Sequence, residues 1–232
     1  MTLDEFEQLA MDRRAVRRFK PDPLPDGLLD RLLRIAHWAP SGYNLQPTHY
    51  VAVTDPQRKQ ALWTACFWQR QITEAPATVV FTGDKQVYAN NFERMIACER
   101  EGGAMHEKYE QSLRKFVPLA FGTGPLGLGW AWKCAAPLAA RFKSIPSIPA
   151  VQRRFWLSKQ VTLCAMNFML AAKAAGLGTV PMEGFDERRV RRVLGIPRSQ
   201  VVVLVVPVGY ADDQELKRTR LPLEEFVHRE KW

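Results

Sequence analysis

The run QVVVLVVPVGY, residues 200–210, limits the possible folds more than any other stretch of the chain. It is apolar and rich in β-branched side chains, with no polar alternation. A strand of this kind needs cover on both faces, so it belongs in the middle of a sheet. Two further segments have strand character, THYVAVT at 48–54 and ATVVFTG at 77–83. Helical patterns surround them. Residues 3–12 place Leu3, Phe6, Leu9 and Ala10 on one side. Residues 26–38 offer Asp26 as a cap and Leu28, Leu29, Leu32, Leu33 and Ile35 as a buried stripe. Residues 57–67 and 88–116 also read as helix. So does the long apolar segment 150–176, which ends at Gly176 and Gly178, and so do the residues from Asp186 to Leu194. Between 117 and 150 the pattern dissolves into prolines and glycines. Few strands among many helices predict an α+β fold. The chain reads as one domain over 1–232 with a variable, lid-like insertion at about 85–150.

The formal net charge of +9 is unevenly spread. No Asp or Glu occurs between Glu110 and Glu183, a stretch that carries Arg114, Lys115, Lys133, Arg141, Lys143, Arg153, Arg154, Lys159 and Lys173. Such a region attracts anions. It lacks the regular basic–aromatic interleaving of a nucleic-acid module, so a solvated basic face is expected rather than a nucleic-acid site. Cys66, Cys98, Cys134 and Cys164 stand alone, with no CxxC and no histidine at ligand spacing. HEKYE at 106–110 is not H-E-x-x-H, so no metal site is expected. The amphipathic, acidic start does not read as a secretory signal, and no apolar run reaches the ~20 residues of a membrane span. A cytoplasmic protein without an integral membrane segment is expected.

Three motifs have the residue types of a binding site. RRAVRRF at 13–19 is an extended basic segment, in which alternation predicts Arg13 and Arg17 on one side and Arg14 on the other. Guanidinium groups grip phosphate and can stabilise an anionic ring edge. APSGYNLQP at 39–47 ends a well-patterned helix in a loop with almost no charge. There Asn44 and Gln46 each carry donors and an acceptor, and Ser41 and Gly42 permit close approach. These groups suit a flat, polar heterocycle. GLGTVPMEGFD at 176–186 is a glycine-rich loop able to present a backbone N–H to a ring nitrogen. A fourth match, GTGPLG at 122–127, is a decoy for a dinucleotide fingerprint: Pro125 interrupts it, and no acid follows before Glu183.

In this order, and with KRTRLP after the last strand, the motifs resemble the FMN-dependent nitroreductase family. The resemblance implies a nitroreductase-like α+β fold with a mostly antiparallel central sheet flanked by helices. It also implies an intertwined homodimer with FMN at its interfaces. Carried over by residue, Arg13, Arg14 and Ala15 would lie near the phosphate and ribityl chain, and Arg17 near flavin N1 and the C2 carbonyl. Pro40, Ser41, Gly42 and Asn44 would come from the partner subunit, with Gln46 close by. Pro181, Met182, Glu183 and Gly184 would line one ring face, with the Glu183 amide near N5. Arg218 and Arg220 would close on the phosphate. Where the family often has an asparagine and a lysine, this chain has Trp68 and Gln71; Gln71 can bond a carbonyl but adds no charge.

The activity implied is ping-pong hydride transfer from NAD(P)H, through FMN, to a small flat electron-poor acceptor such as a nitroaromatic or quinone. No side chain is required as a general acid, so no catalytic residue is assigned. Phe121, Trp130 and Trp132, in and beside FGTGPLGLGWAWK, are the stacking candidates for the acceptor. Two alternatives remain open at this point. One is a specialised flavin enzyme of the same fold: a reductive dehalogenase, a dehydrogenase, or a flavin-destroying enzyme like the dimethylbenzimidazole synthases. The other is a non-enzymatic basic protein that binds anions through the acid-free stretch.

Overall fold

The computed structural model describes residues 1–122, 135, 138, 141–142, 152–212 and 219–232. Among these, four strands form one antiparallel sheet: β1 Thr48–Val53, β2 Ala77–Asp84, β3 Gly178–Thr179 and β4 Gln200–Gly209, in the order β1-β2-β4-β3. The apolar run at 200–210 is thus an interior strand, as its lack of alternation requires. Its neighbour β2 is buried along its whole length, whereas β1, at an edge, is only partly so. The short strand β3 lies within what the sequence predicts as a loop. With two residues it carries no periodicity to read.

Eight α-helices are described: α1 Leu3–Asp12, α2 Leu28–His37, α3 Pro56–Ala65, α4 Gln71–Glu74, α5 Val87–Glu101, α6 Glu107–Phe121, α7 Arg153–Ala174 and α8 Glu187–Leu194. They cover the sheet on both faces. Val79, Phe81, Leu204, Val206 and Val208 pack with Leu32 and Ala36 of α2 and Phe168 of α7. On the other face Val80, Val202 and Val205 pack with Leu62, Ile72 and Val190 of α3, α4 and α8. Val202 and Val205 share a face despite their odd spacing because the register shifts at Phe81/Thr82, where one extra residue of β4 reverses the alternation.

Local chemistry sets the helix ends. Thr2 and Glu5 form a reciprocal capping box on α1, and the Asp186 carboxylate accepts from the Arg188 and Arg189 amides at the start of α8. Asp26 does not cap α2. The N-cap is Gly27 at φ 72°, without a side-chain cap, because the chain enters the helix through a tight turn in which the Leu28 amide bonds the Pro25 carbonyl. The α2 stripe is also narrower than predicted: Leu32 is buried, but Ile35 is 42% exposed. The predicted helix over 88–116 is two helices, divided at Gly102 and Gly103, and the second runs on through Pro118 to Phe121. Glu110 of α6 ties the pair together, accepting bonds from Arg100 (2.6 Å) and Arg114 (2.7 Å).

Several helices present apolar surface to solvent, α6 among them through Phe116 and Leu119. No residue of α1 is fully buried, and its Leu3 and Phe6 are exposed. On α7 a buried stripe faces the sheet, while Phe155, Leu163 and Met166 are exposed on the far side.

Candidate functional site

The basic segment 13–19 is held by backbone. The Val16 amide bonds the Thr179 carbonyl at 3.0 Å, and the Lys20 amide bonds the Tyr210 carbonyl at 2.9 Å. Gly178 is required for this approach: a Cβ there would lie 2.5 Å from Val16 Cγ2. The next residues are tied equally well, Met182 and Val205 exchanging amide bonds at 2.9 and 3.1 Å. Arg13 and Arg14, together with Lys173 at the end of α7, line a cavity of about 290 Å³ closed by Gly176–Thr179. The simple alternation predicted for the segment therefore does not hold. Arg13 is the C-cap of α1, and Ala15 makes only an isolated bridge to Thr179, so no regular strand separates the first two arginines. Arg17 is exposed.

The turn before α4 meets the 181–186 loop. Phe67 and Trp68 both adopt left-handed backbone, at φ 53° and 55°. This reversal aims Gln69 at the loop, where its Nε2 donates to the Gly184 carbonyl at 2.8 Å. Gln71, 7% exposed, donates to Gln69 Oε1 at 3.1 Å and contacts Met182 Sδ at 3.6 Å. Glu183 and Gly184 are exposed, and among the described residues nothing accepts a hydrogen bond from the Glu183 amide. Hydrogen bonds thus tie the segment that carries Arg13 to Arg17 to β3, and tie Gln71, through Gln69, to the Met182–Gly184 loop. Burial pushes the nearby Cys66 thiol up to about 12, which keeps it protonated and unreactive.

The 39–47 loop is built differently. Tyr43, Asn44 and Gln46 all have positive φ, at 56°, 49° and 51°. Of the six non-glycine residues with positive φ among the described residues, five lie here or at Phe67–Trp68; strain of this kind collects at functional segments. Long side chains hold the loop from outside. Gln160 of α7 accepts from the Gly42 amide at 2.7 Å, and Asn91 of α5 donates to the Leu45 carbonyl at 2.9 Å. Glu99 accepts from Asn44 Nδ2 at 2.8 Å, and Asn44 Oδ1 accepts from Gln46 Nε2 at 3.2 Å. Ser41 turns inward, its hydroxyl accepting from the Gln46 amide at 2.9 Å. Pro40 is exposed at the loop's start. Asn44 and Gln46 border a second cavity, of about 750 Å³.

Phe121 is 7% exposed, with its ring edge-on to Trp156 (centroids 4.9 Å apart) and Tyr43 (6.0 Å). It packs beneath the 39–47 loop. Trp130, Trp132 and Arg218 lie outside the described residues. Arg220 is exposed and donates to the adjacent Thr219 carbonyl at 2.9 Å. Sequence reasoning missed Lys173, Gln69, Glu99 and Gln160 as parts of these segments. Only Lys173 had a signal, its place in the acid-free stretch. Among the described residues no cluster of His, Cys, Asp and Glu could hold a metal, and no helix is long and apolar enough to cross a membrane.

The likeness to known proteins covers both halves of this arrangement. The chain is 33% identical over 218 residues to a Thermus thermophilus protein named NADH dehydrogenase, covering 94% of this chain and 92% of the relative. It is 28% identical over 226 residues to Bacillus subtilis MhqN, which bears an NAD(P)H nitroreductase name, covering 96% and 98% of the two chains. A solved nitroreductase-like structure from Exiguobacterium sibiricum, in complex with FMN, superposes with a TM-score of 0.74 at 21% identity, over 99% of each chain. The Nitroreductase family profile matches residues 10–210, which takes in the arginine segment, the amide loop, the glycine-rich loop and all four strands. By sequence over nearly its whole length, and by fold, this chain belongs to the nitroreductase family of oxidoreductases.

Proposed function

We propose that the protein is an FMN-dependent oxidoreductase whose site is completed by a second copy of the chain. The observation that carries this reading is the separation of two half-sites along α7. Gln160 supports the amide loop and Lys173 borders the arginine cavity. They are about 20 Å apart at 1.5 Å of helix per residue. The two cavities share no lining residue. One chain therefore presents the arginine cavity and the amide loop at distant points. The exposed stripe of Phe155, Leu163 and Met166 on α7 gives a second copy a surface to pack on, and a two-fold pairing there would set each loop against the other chain's arginines.

The residues present fit FMN. Arg13, Arg14 and Lys173 outnumber Asp12, the one acidic residue lining their cavity, and leave it net positive charge for the phosphate. The Glu183 amide, unpaired among the described residues, offers a donor to the ring, and Gln71, buried against Met182, would turn its amide from Gln69 to bond a carbonyl. Pro181, Met182 and Gly184 bound that face, while Pro40, Ser41, Gly42, Asn44 and Gln46 from the partner bring uncharged polar groups suited to a flat, neutral ring. Arg17 would balance negative charge at the pyrimidine edge, and Arg218 and Arg220 would close on the phosphate. Bound FMN would supply hydride relay from NAD(P)H to an electron-poor acceptor, a nitroaromatic or quinone, each taken in turn. The chain's task is to orient and to stabilise charge electrostatically.

Purified protein should be yellow, release FMN on denaturation and elute at twice the mass of one chain. NADH or NADPH should bleach the absorbance, and a nitroaromatic or quinone should restore it. A colourless monomer that gains no absorbance from added FMN overturns the reading.

A further inference from the structure

The larger cavity has features that the flavin reading does not use. Beyond Asn44 and Gln46 it is lined by Arg34 and His37 of α2, His49 of β1 and Arg94 of α5, with Asp30 its one acidic residue. Neither Arg34 nor Arg94 lies within ion-pair distance of a carboxylate among the described residues. Some arginines are engaged, Arg100 and Arg114 by Glu110 and Glu93 and Arg154 by Glu187. Others, such as Arg58 and Arg192, also have no ion pair among the described residues. What sets Arg34 and Arg94 apart is that they share one cavity. Glu99, the acid near the cavity mouth, is taken by the Asn44 amide. Two guanidinium groups from different helices, with no ion pair among the described residues, therefore share a concave site with two imidazoles and one carboxylate. Its volume of about 750 Å³ lies within the range of small-molecule sites and far exceeds what a free inorganic anion fills. The anion that suits it is a group on a larger molecule.

We propose that this cavity is an anion subsite, in which Arg34 and Arg94 grip a phosphate or carboxylate carried by the reductant or the acceptor. The molecule's reactive end would extend toward the Asn44–Gln46 loop. The inference rests on the flavin reading for what lies at that loop. The sequence hid it, because Arg34 and Arg94 belong to different helices, neither within a motif. A guanidinium pair grips such groups through charge-assisted bonds, and loss of one costs about tenfold or more in affinity.

The test uses FMN-loaded dimer, as wild type and as Arg34→Gln, Arg94→Gln and the double variant. Both side chains are exposed, so the fold should survive, and circular dichroism checks it. Calorimetry without turnover compares 2′-phospho-ADP-ribose with adenosine, and 4-nitrobenzoate with 4-nitrobenzamide. The expected result is that the anionic probe of at least one pair loses about tenfold or more against its neutral partner in the variants. A shift in the first pair assigns the group to the reductant's phosphates, and one in the second to a carboxylated acceptor. Equal affinities within both pairs in wild type, or ratios that the variants leave in place, overturn the proposal. Flavin absorbance and dimer mass, read on the same samples, show separately whether the flavin reading itself has failed.

Discussion

The two loops of the site reach similar positions of exposure by opposite means. The 178–184 loop is an extension of the sheet: Thr179 bonds Val16, Met182 bonds Val205, and Gly178 lets the strands close. The 39–47 loop has no such ladder. It holds three left-handed residues in place with Gln160, Asn91 and Glu99, side chains from two helices that are otherwise committed to packing. Backbone ladders are rigid and indifferent to most substitutions. Side-chain struts can be changed singly. The half made of the arginine segment and the 178–184 loop should therefore be robust in shape, and the amide loop adjustable.

The largest test removes the charges of the rigid half. Arg13→Ala and Arg14→Ala should each weaken FMN by about 1.5–3 kcal/mol, the value of a charged hydrogen bond, read by flavin fluorescence titration. Unchanged affinity in both would detach this cavity from the phosphate. Gly178→Ala attacks the ladder itself. Overpacking against Val16 should cost about 1–3 kcal/mol in urea unfolding, and a variant as stable as wild type would mean that the approach is soft. The struts come next. Gln160→Ala and Glu99→Ala should cost only about 0.5–1.5 kcal/mol of stability, yet should disturb the spectrum of bound flavin more than their stability loss suggests. If Glu99→Ala leaves that spectrum untouched, the Asn44 amide does not depend on its strut.

The smallest effect is set by pH. Hydrogen bonds from Arg114, and then from Arg100, hold Glu110 below the usual carboxylate range. A lowered native value means that its stabilisation of the α5–α6 pair is complete above the ordinary glutamate value of about 4.3. It is lost as pH falls through the lowered one. Melting of wild type and Glu110→Gln should therefore converge as pH is lowered from 6 to 3. A constant gap would remove the carboxylate from the account. Because α5 carries Asn91 and Glu99, acid should loosen the strutted loop before the laddered one.

The fold was largely legible. Three of the four strands and most helices follow from periodicity and caps, because burial of a strand or helix face is written in consecutive residues. The errors were local and instructive. Asp26 is a good cap type, but a glycine turn displaced it. Gly102 and Gly103 sit in a helical pattern that tertiary packing let them divide. Motif residues were legible by their types, while their supports were not. Gln160 reaches Gly42 across 118 positions, and Glu99 reaches Asn44 across 55. An ordinary glutamine on a helix carries no mark of such a partner.

By itself the chain of residues determined an interior apolar strand, an α+β fold and three segments with the chemistry to meet a flat, phosphorylated ligand. Those properties depend on side-chain type and near-neighbour spacing. Only the folded molecule decided that Arg14 joins Arg13 rather than opposing it, that Lys173 completes their cavity, and that Arg34 and Arg94 face a common space unpaired. Each of those depends on how elements distant in sequence are placed by packing of the sheet, and charge acts through space, not along the chain.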